Sequence, residues 1–313
     1  MEIIDEAVIN RFQLEKLNLI RAHNIYGHQL PAEVTERLET EIRDIIAVNA
    51  VDFFIECFDR VMNNHDHINF LSGAWILGPS LTAHYLGLTD VNPLPPHYYC
   101  KCGFSDFGVH NGEDFFPGDV AADLKSRVCP VCGASLEKDG YDIPWNFETM
   151  RGLLLDHECK RKLFEEQTVH ITDDKQQLTA DFLNRVISDI AARNDNMSDK
   201  IRIKALGMGT NVLVDNADIL LKDTRLHLSL HDLVCSREDV MTHLLAKGIA
   251  REKAVDIMEC VRKGRAGWEF SENNYDIYMR AHGVPEYFIQ NCRRIVYIVP
   301  KAVAIYYALR GEV

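Results

Sequence analysis

Asn-Pro-Leu-Pro-Pro-His-Tyr-Tyr-Cys-Lys-Cys-Gly, residues 92–103, and Val-Cys-Pro-Val-Cys-Gly, residues 128–133, decide how this chain of 313 residues is read. Pro93, Pro95 and Pro96 lack N–H donors and push the residues before them into extended backbone, so a helical pattern must stop there. Two cysteine turns come next, Cys100-Lys-Cys102 and Cys129-Pro-Val-Cys132, with 26 residues between them. Four thiols in two close pairs suit Zn²⁺, which takes soft ligands in a tetrahedron, two from each tight turn. Gly103 and Gly133 follow the pairs, where such turns often need left-handed backbone. The first pair is one residue shorter than the usual C-x₂-C, which makes His97 or His110 a substitute ligand if a thiol falls short. Two competing readings are unrelated pairs of free cysteines and a redox C-x-x-C, the second lacking a surrounding βαβ pattern. A four-cysteine site has no open coordination position, so zinc held here is structural rather than catalytic.

Outward from this module the pattern is helical. Residues 1–30 read as helix, and Pro31 opens a second one whose apolar face is Val34, Leu38, Ile42 and Ile45. Val51, Phe54, Ile55 and Phe58 mark a third, and residues 63–73 read as a loop entering a short apolar segment. On the other side, 146–195 reads as charged helix with Phe182, Val186 and Ile190 on one stripe. Ser236 and Asp239 form a capping box for a helix closed by Gly248. Further helices run over 250–263, ending at Gly264, and start at Ser271, Pro285 and Pro300. The expected fold class is α+β, mostly helical: a helical segment over 1–96, a small β-containing zinc insertion over 97–145, a helical connector over 146–199 and a helical bundle over 200–313.

A hydrophobic share of 47% and a charged share of 26% are globular values and exclude a disordered chain. No apolar run is long enough to span a bilayer, and the acidic N-terminus lacks a signal-peptide pattern, so no membrane partner and a cytoplasmic location are expected. Nine cysteines, an odd number, fit reduced thiols. The net charge of −13 excludes a protein that wraps duplex DNA broadly, because phosphate binding needs a basic surface. The acidity is concentrated in residues 1–160, whereas 260–313 is slightly basic. There Arg262, Lys263, Arg265, Arg293, Arg294 and Lys301 are candidate phosphate contacts, with Lys301 in the first turn of the last helix, where free N–H groups favour an anion. The alternative is that Arg262, Lys263 and Arg265 complement a helix dipole. Gly207-Met-Gly209 reads as a turn, His65-Asp-His67 as a solvated loop, and no nucleophile–base constellation is present.

Several stretches together resemble one family, the PolC-type DNA polymerase III alpha subunit of low-GC Gram-positive bacteria. They are Ile25-Tyr-Gly27 with Leu30-Pro31, Arg37-Leu-Glu39, Val91 through Tyr98, Cys129-Pro-x-Cys132-Gly133 and Lys138-Asp-Gly-x-Asp-Ile-Pro144. Next in the same order are Gly209-Thr210-x-Val212, Arg237-Glu-Asp239, Ile257-Met-Glu259-x-Val261-Arg-Lys-Gly264, Val284-Pro-Glu-Tyr287 and Pro300-Lys-Ala302. The resemblance covers roughly residues 22–150 and 200–310. It implies a partial palm with its zinc insertion joined to a fingers-like bundle, with the rest of a larger polymerase absent. It places Cys100, Cys102, Cys129 and Cys132 on the family's zinc ligands, and Arg262, Lys263 and Lys301 in segments that approach nucleotide or template phosphates.

The departures shape the functional expectation. The family's triphosphate cradle, Gly-Ser-Arg-Gly-Ser-x-Gly-Ser-Ser, is here Ser72-Gly-Ala-Trp-Ile-Leu-Gly-Pro-Ser80, with Ala74 in place of the arginine. Two-metal phosphoryl transfer needs paired carboxylates. The family's Asp-x-Asp is missing from Met150-Arg-Gly-Leu-Leu-Leu-Asp-His157, and its histidine after Pro-Lys-Ala is Val303. The expectation is a zinc-stabilised PolC-like protein with no catalytic residues, a pseudoenzyme whose role is regulation or binding. Its expected partners are DNA, through the C-terminal cations, or a replication protein. The alternative is a nucleotide-binding or nucleotidyl-transferring enzyme using Asp139, Asp142 or Asp156.

Overall fold

The computed structural model describes residues 6–63, 68–108, 119–147, 151, 157–164, 196–208 and 211–311. The chain divides into two compact units, Met1–Thr168 and Val169–Val313. Both are mainly helical, and the described strands make one small sheet, so the α+β, mostly helical expectation holds.

In the first unit, α1 (Glu6–Tyr26), α2 (Ala32–Ala47) and α3 (Val51–Met62) are followed by two shorter helices, α4 (Phe70–Leu77) and α5 (Leu81–Tyr85). Pro31 is the N-cap of α2, with extended backbone, and the helix begins one residue later. Val34, Leu38 and Ile45 face inward as the four-residue spacing requires, and Glu41 lies buried on the same stripe. The main core gathers Leu14, Phe53, Phe54, Leu77, Trp145 and Leu163. Trp145 donates its indole N–H to Asp44 at 2.8 Å. Helix α6 (His157–Phe164) packs against α4, and its Leu163 carbonyl accepts from the Asn69 amide just before α4. Asn69 also caps α4, accepting the Ser72 N–H.

The proline run ends the helices as expected, and β1 (His97–Tyr99) begins directly after it. Its partners are β2 (Ser105–Asp106) and β3 (Glu137–Asp139), in the antiparallel order β2-β1-β3, with Tyr98 opposite both Asp106 and Lys138. A satellite core of Tyr98, Ala121, Leu124, Leu136, Cys100 and Cys129 underlies this sheet.

The second unit contains α7 (Met197–Met208), α8 (Asn211–Lys222), α9 (Arg237–Ala246), α10 (Arg251–Arg262), α11 (Ala266–Glu272), α12 (Tyr275–Ala281), α13 (Glu286–Arg294) and α14 (Lys301–Leu309). Helix α14 packs along α7, and α9 along α10. The capping box at Ser236 is present, with Asp239 accepting the Ser236 amide at 2.6 Å. Pro285 and Pro300 are the N-caps of α13 and α14. Ser271 is not a helix start: it sits near the end of α11, and the next helix begins at Tyr275 after Asn274 takes a left-handed backbone, which splits the expected helix in two. The stripe Phe182, Val186 and Ile190, the His65-Asp-His67 motif, His110 and Asp156 lie outside the described residues. No helix among the described residues is long and apolar enough to cross a membrane.

Candidate metal centre and cation cluster

The cysteine turns are built by short backbone hydrogen bonds. Gly103 donates to the Cys100 carbonyl at 2.9 Å and Cys100 donates to Phe104 at 2.8 Å. In the second turn Gly133 donates to Cys129 at 2.9 Å and Cys129 donates to Ala134 at 2.7 Å. Gly103 and Gly133 have φ of 93° and 75°, the conformation a side chain would disfavour. These turns aim all four sulfurs at one point. The Cys100–Cys132 and Cys102–Cys129 Sγ pairs are 3.5 Å apart, and all four sulfurs lie within 4.8 Å of one another. A tetrahedron with Zn–S bonds of about 2.3 Å has sulfurs ~3.8 Å apart, so the quartet fits a zinc ion. The short C-x-C pair therefore does not prevent closure of the site. Cys100 and Cys129 are buried in the satellite core, whereas Cys102 and Cys132 face solvent.

The surroundings shift Cys129 and Cys102 in opposite directions. Desolvation pushes Cys129 up, but the amides of Cys132 and Val131 and the neighbouring thiols outweigh it, and the group falls to about 7. The Phe104 amide favours a thiolate at Cys102, yet desolvation and the surrounding sulfurs push that group up to about 12. A metal that takes all four sulfurs as thiolates must displace the protons they still carry.

His97 is not a substitute ligand. It is fully buried, with Nδ1 against the Pro95 carbonyl and Nε2 against the Tyr26 hydroxyl, each at 2.8 Å. A carbonyl only accepts, so Nδ1 carries the proton and Nε2 accepts from Tyr26. Burial lowers the His97 pKa, and the ring stacks on Phe107 at 4.2 Å. The first turn also meets the end of α1, because a Cβ on Gly27 would lie 3.1 Å from the Gly103 Cα.

Residues 72–80, the stretch aligned with the triphosphate cradle, are mostly helix α4. Ala74, Ile76 and Leu77 are buried in the core, and Gly73 sits so close to α5 and its exit that a Cβ would lie 2.4 Å from the Leu88 carbonyl. The backbone N–H groups at the start of α5 are taken by Glu41, a residue that sequence reading missed. Its fully buried carboxylate accepts from the Ser80 hydroxyl at 2.9 Å, the Leu81 amide at 2.9 Å and the Thr82 amide at 3.0 Å. Arg37 holds it from the other side at 2.5 Å and also donates to the carbonyls of Pro79 and Ile143. The available signal was a glutamate on the buried stripe of α2, four residues after an arginine.

The C-terminal cations meet through a close backbone approach. Gly264, with φ of 69°, lies against Val296, whose carbonyl would be 2.4 Å from a Cβ there. This brings the 262–265 turn beside the end of α13, so two clusters distant in sequence share one region. Their charges are largely compensated. Glu259 forms a two-pronged pair with Arg262, at 2.9 and 2.7 Å, and approaches Lys263 at 3.5 Å. Arg265 pairs with Glu269 at 2.8 Å, and Arg293 with Asp276 at 3.1 Å. Arg294 is exposed. Lys301 is buried, and its amide, at the start of α14, donates to Glu238 at 2.7 Å. A second helix N-terminus is thus occupied by the chain's own carboxylate. Glu238 is also paired with Arg237 at 2.7 Å.

Of the alternative carboxylates, Asp139 accepts from Asn92 at 2.8 Å and from the Gly140 amide at 2.7 Å, and Asp142 has left-handed backbone beside it.

The comparisons with known proteins agree on one relationship. The DNA polymerase III PolC-type of Caldanaerobacter subterraneus subsp. tengcongensis is 24% identical over 463 positions, covering 95% of this chain and 32% of that protein. The protein of the same description from Thermotoga petrophila is 24% identical over 460 positions, covering 94% and 33%. This chain is a relative of the PolC-type DNA polymerases III. The PolC-type protein of Lacticaseibacillus paracasei is 40% identical over a shorter stretch, 42% of this chain. No protein-family model matches the chain. The chain spans about a third of the length of the PolC-type relatives it matches over nearly its whole extent. Because 463 positions are aligned to a chain of 313 residues, the PolC-type relatives carry well over a hundred positions that have no counterpart here.

Proposed function

We propose that this PolC-like chain does not polymerise DNA and acts by binding in DNA replication, with a structural zinc ion at Cys100, Cys102, Cys129 and Cys132. The palm-like part is the helical segment over 1–96 with the zinc insertion over 97–145, and the fingers-like part is the helical bundle over 200–313. The observation that carries the reading is the fate of the cradle: Ala74 is packed in a core helix, and Glu41 holds the nearest free amides. A triphosphate would have to displace a buried carboxylate from donors that already satisfy it, and in-line transfer would also need a metal-holding carboxylate pair. Asp139, with both oxygens engaged locally, is poorly suited to supply one. Zinc at four thiolates would fix the two turns and the sheet between them, with no open position for chemistry.

DNA is the favoured partner, contacted locally by the second unit. Arg294 supplies an exposed cation, and Arg262, Lys263, Arg265 and Arg293 would exchange carboxylate partners for phosphates. Lys301 contributes through the buried start of α14 rather than by direct contact. One experiment tests both parts. The purified chain is incubated with a labelled primed template, dNTPs and Mg²⁺ at low salt, and mobility and primer length are read together. The expected result is a salt-sensitive mobility shift with no extension. Extension by the chain would overturn the inactive reading, and the absence of any shift at low salt would overturn DNA as the partner.

A further inference from the structure

Helix α1 carries an apolar face that the described residues of its own unit leave largely exposed. Val8, Ile9, Phe12, Leu19 and Ile20 are between 45% and 66% exposed, although the same helix buries Leu14, Asn18 and Ala22 on its other side. At 3.6 residues per turn these five, with exposed Lys16, occupy a single arc of about 120°. The arc stands opposite Leu14. Scattered exposed hydrophobes need no explanation, but a contiguous face of five on one helix marks an interaction surface.

The order of residues on that face identifies the occupant. Val8 and Ile20 lie six positions either side of Leu14, Ile9 and Leu19 five, and Phe12 and Lys16 two. The exposed pattern therefore reads the same in both directions. A two-fold axis at the level of residue 14 would set a second α1 antiparallel to the first, bringing Val8 against Leu19, Ile9 against Ile20 and Phe12 against Lys16 of the other copy. Both copies of each pair form at once, as an isologous interface requires. The lysine stem covers the phenyl ring, and its ammonium is placed for a cation–π contact. The flank carries complementary charge about nearly the same centre: Arg11 and Glu15, paired within one helix at 3.1 Å, come opposite each other's counterparts across the axis.

We propose that this chain self-associates through the exposed face of α1 as an antiparallel, two-fold dimer. The inference is independent of the polymerase relationship. A single helix face is smaller than the ~800 Å² per partner of a stable interface, so the dimer is weak, with a dissociation constant of roughly 10–100 µM.

Sedimentation equilibrium of the full chain under reducing conditions, from about 5 to 200 µM, tests it. The weight-average mass is expected to climb from one chain of 35.8 kDa toward two. Phe12→Glu, at an exposed position, is expected to remain monomeric throughout. Ile9→Lys serves as a second variant if circular dichroism shows the first misfolded. Arg11→Glu or Glu15→Arg alone should weaken association by about three- to tenfold, and the double exchange should restore it. A monomeric wild-type chain at the highest concentration would overturn the proposal. So would growth beyond two chains, or charge variants that associate as the wild type does.

Discussion

Glu41 is fully buried, yet it makes four hydrogen bonds within one small space: to Arg37 on its own helix and to three donors at the start of α5. Removing one side of such a buried pair leaves the other charge and its donors without partners, at a cost of about 3–5 kcal/mol. Glu41→Ala should therefore lower the denaturation midpoint of the first unit severely, while Glu41→Gln, which keeps one acceptor, should cost less. Equal midpoints for wild type and Glu41→Ala in urea titration would contradict this role. Glu41 shows where sequence reading stops at the residue scale. Val34, Leu38 and Ile45 were legible because burial of apolar side chains follows from spacing alone. The glutamate on the same stripe was not, since its partners lie about forty residues away in a turn that spacing cannot place beside it. Cys100, Cys102, Cys129 and Cys132 were legible because each pair is local and only one long-range contact had to be assumed.

Among the elements, α9 and α13 meet through His243 and Phe288, whose rings stack at 3.9 Å. Burial, with help from Lys247 nearby, lowers the His243 pKa to about 4. Its Nε2 is buried with no hydrogen-bond partner among the described residues, so an added proton would have nothing to donate to. The folded state keeps the ring neutral where the unfolded chain, with a histidine pKa near 6.5, already binds a proton. The stabilisation is complete above pH ~6.5 and is lost as pH falls toward 4. Thermal melts of the second unit's transition should show this acid loss, and His243→Phe should reduce it while keeping the stack. A variant with the same acid sensitivity as the wild type would refute the assignment. Helix ends were the most readable elements. Pro31, Pro285, Pro300 and the Ser236–Asp239 box all mark starts within a residue, because caps are local chemistry. The failure at Ser271 has an equally local cause: Asn274, in left-handed backbone, breaks a run that periodicity alone continues.

At the scale of the whole molecule, two units with separate cores should unfold in two calorimetric transitions. The four-cysteine cluster belongs to the first. Elemental analysis should find about one zinc per chain, as a single four-thiolate site requires. A strong chelator should lower the first transition and leave the second in place. Zinc content near zero, or movement of both transitions together, would count against it. The relationship to PolC-type polymerases was legible from many short motifs in order. Charge read by segment set all the candidate phosphate contacts in the second unit. Of the pairs that engage the cations, Arg293–Asp276 could not be read from the sequence because it forms only on folding, whereas Glu259 and Glu269 stand three or four residues from Arg262 and Arg265, a helical spacing that sequence reading passed over.

Glu41 has one further consequence, kinetic and competitive in kind. A carboxylate tethered to the helix it caps is a resident ligand at a very high effective concentration, and it is never diluted. Any phosphate arriving from solution competes against that tethered group and not against water, so raising its concentration through the cellular millimolar range gains it little. The amides at the start of α5 are in this sense saturated from the moment the chain folds.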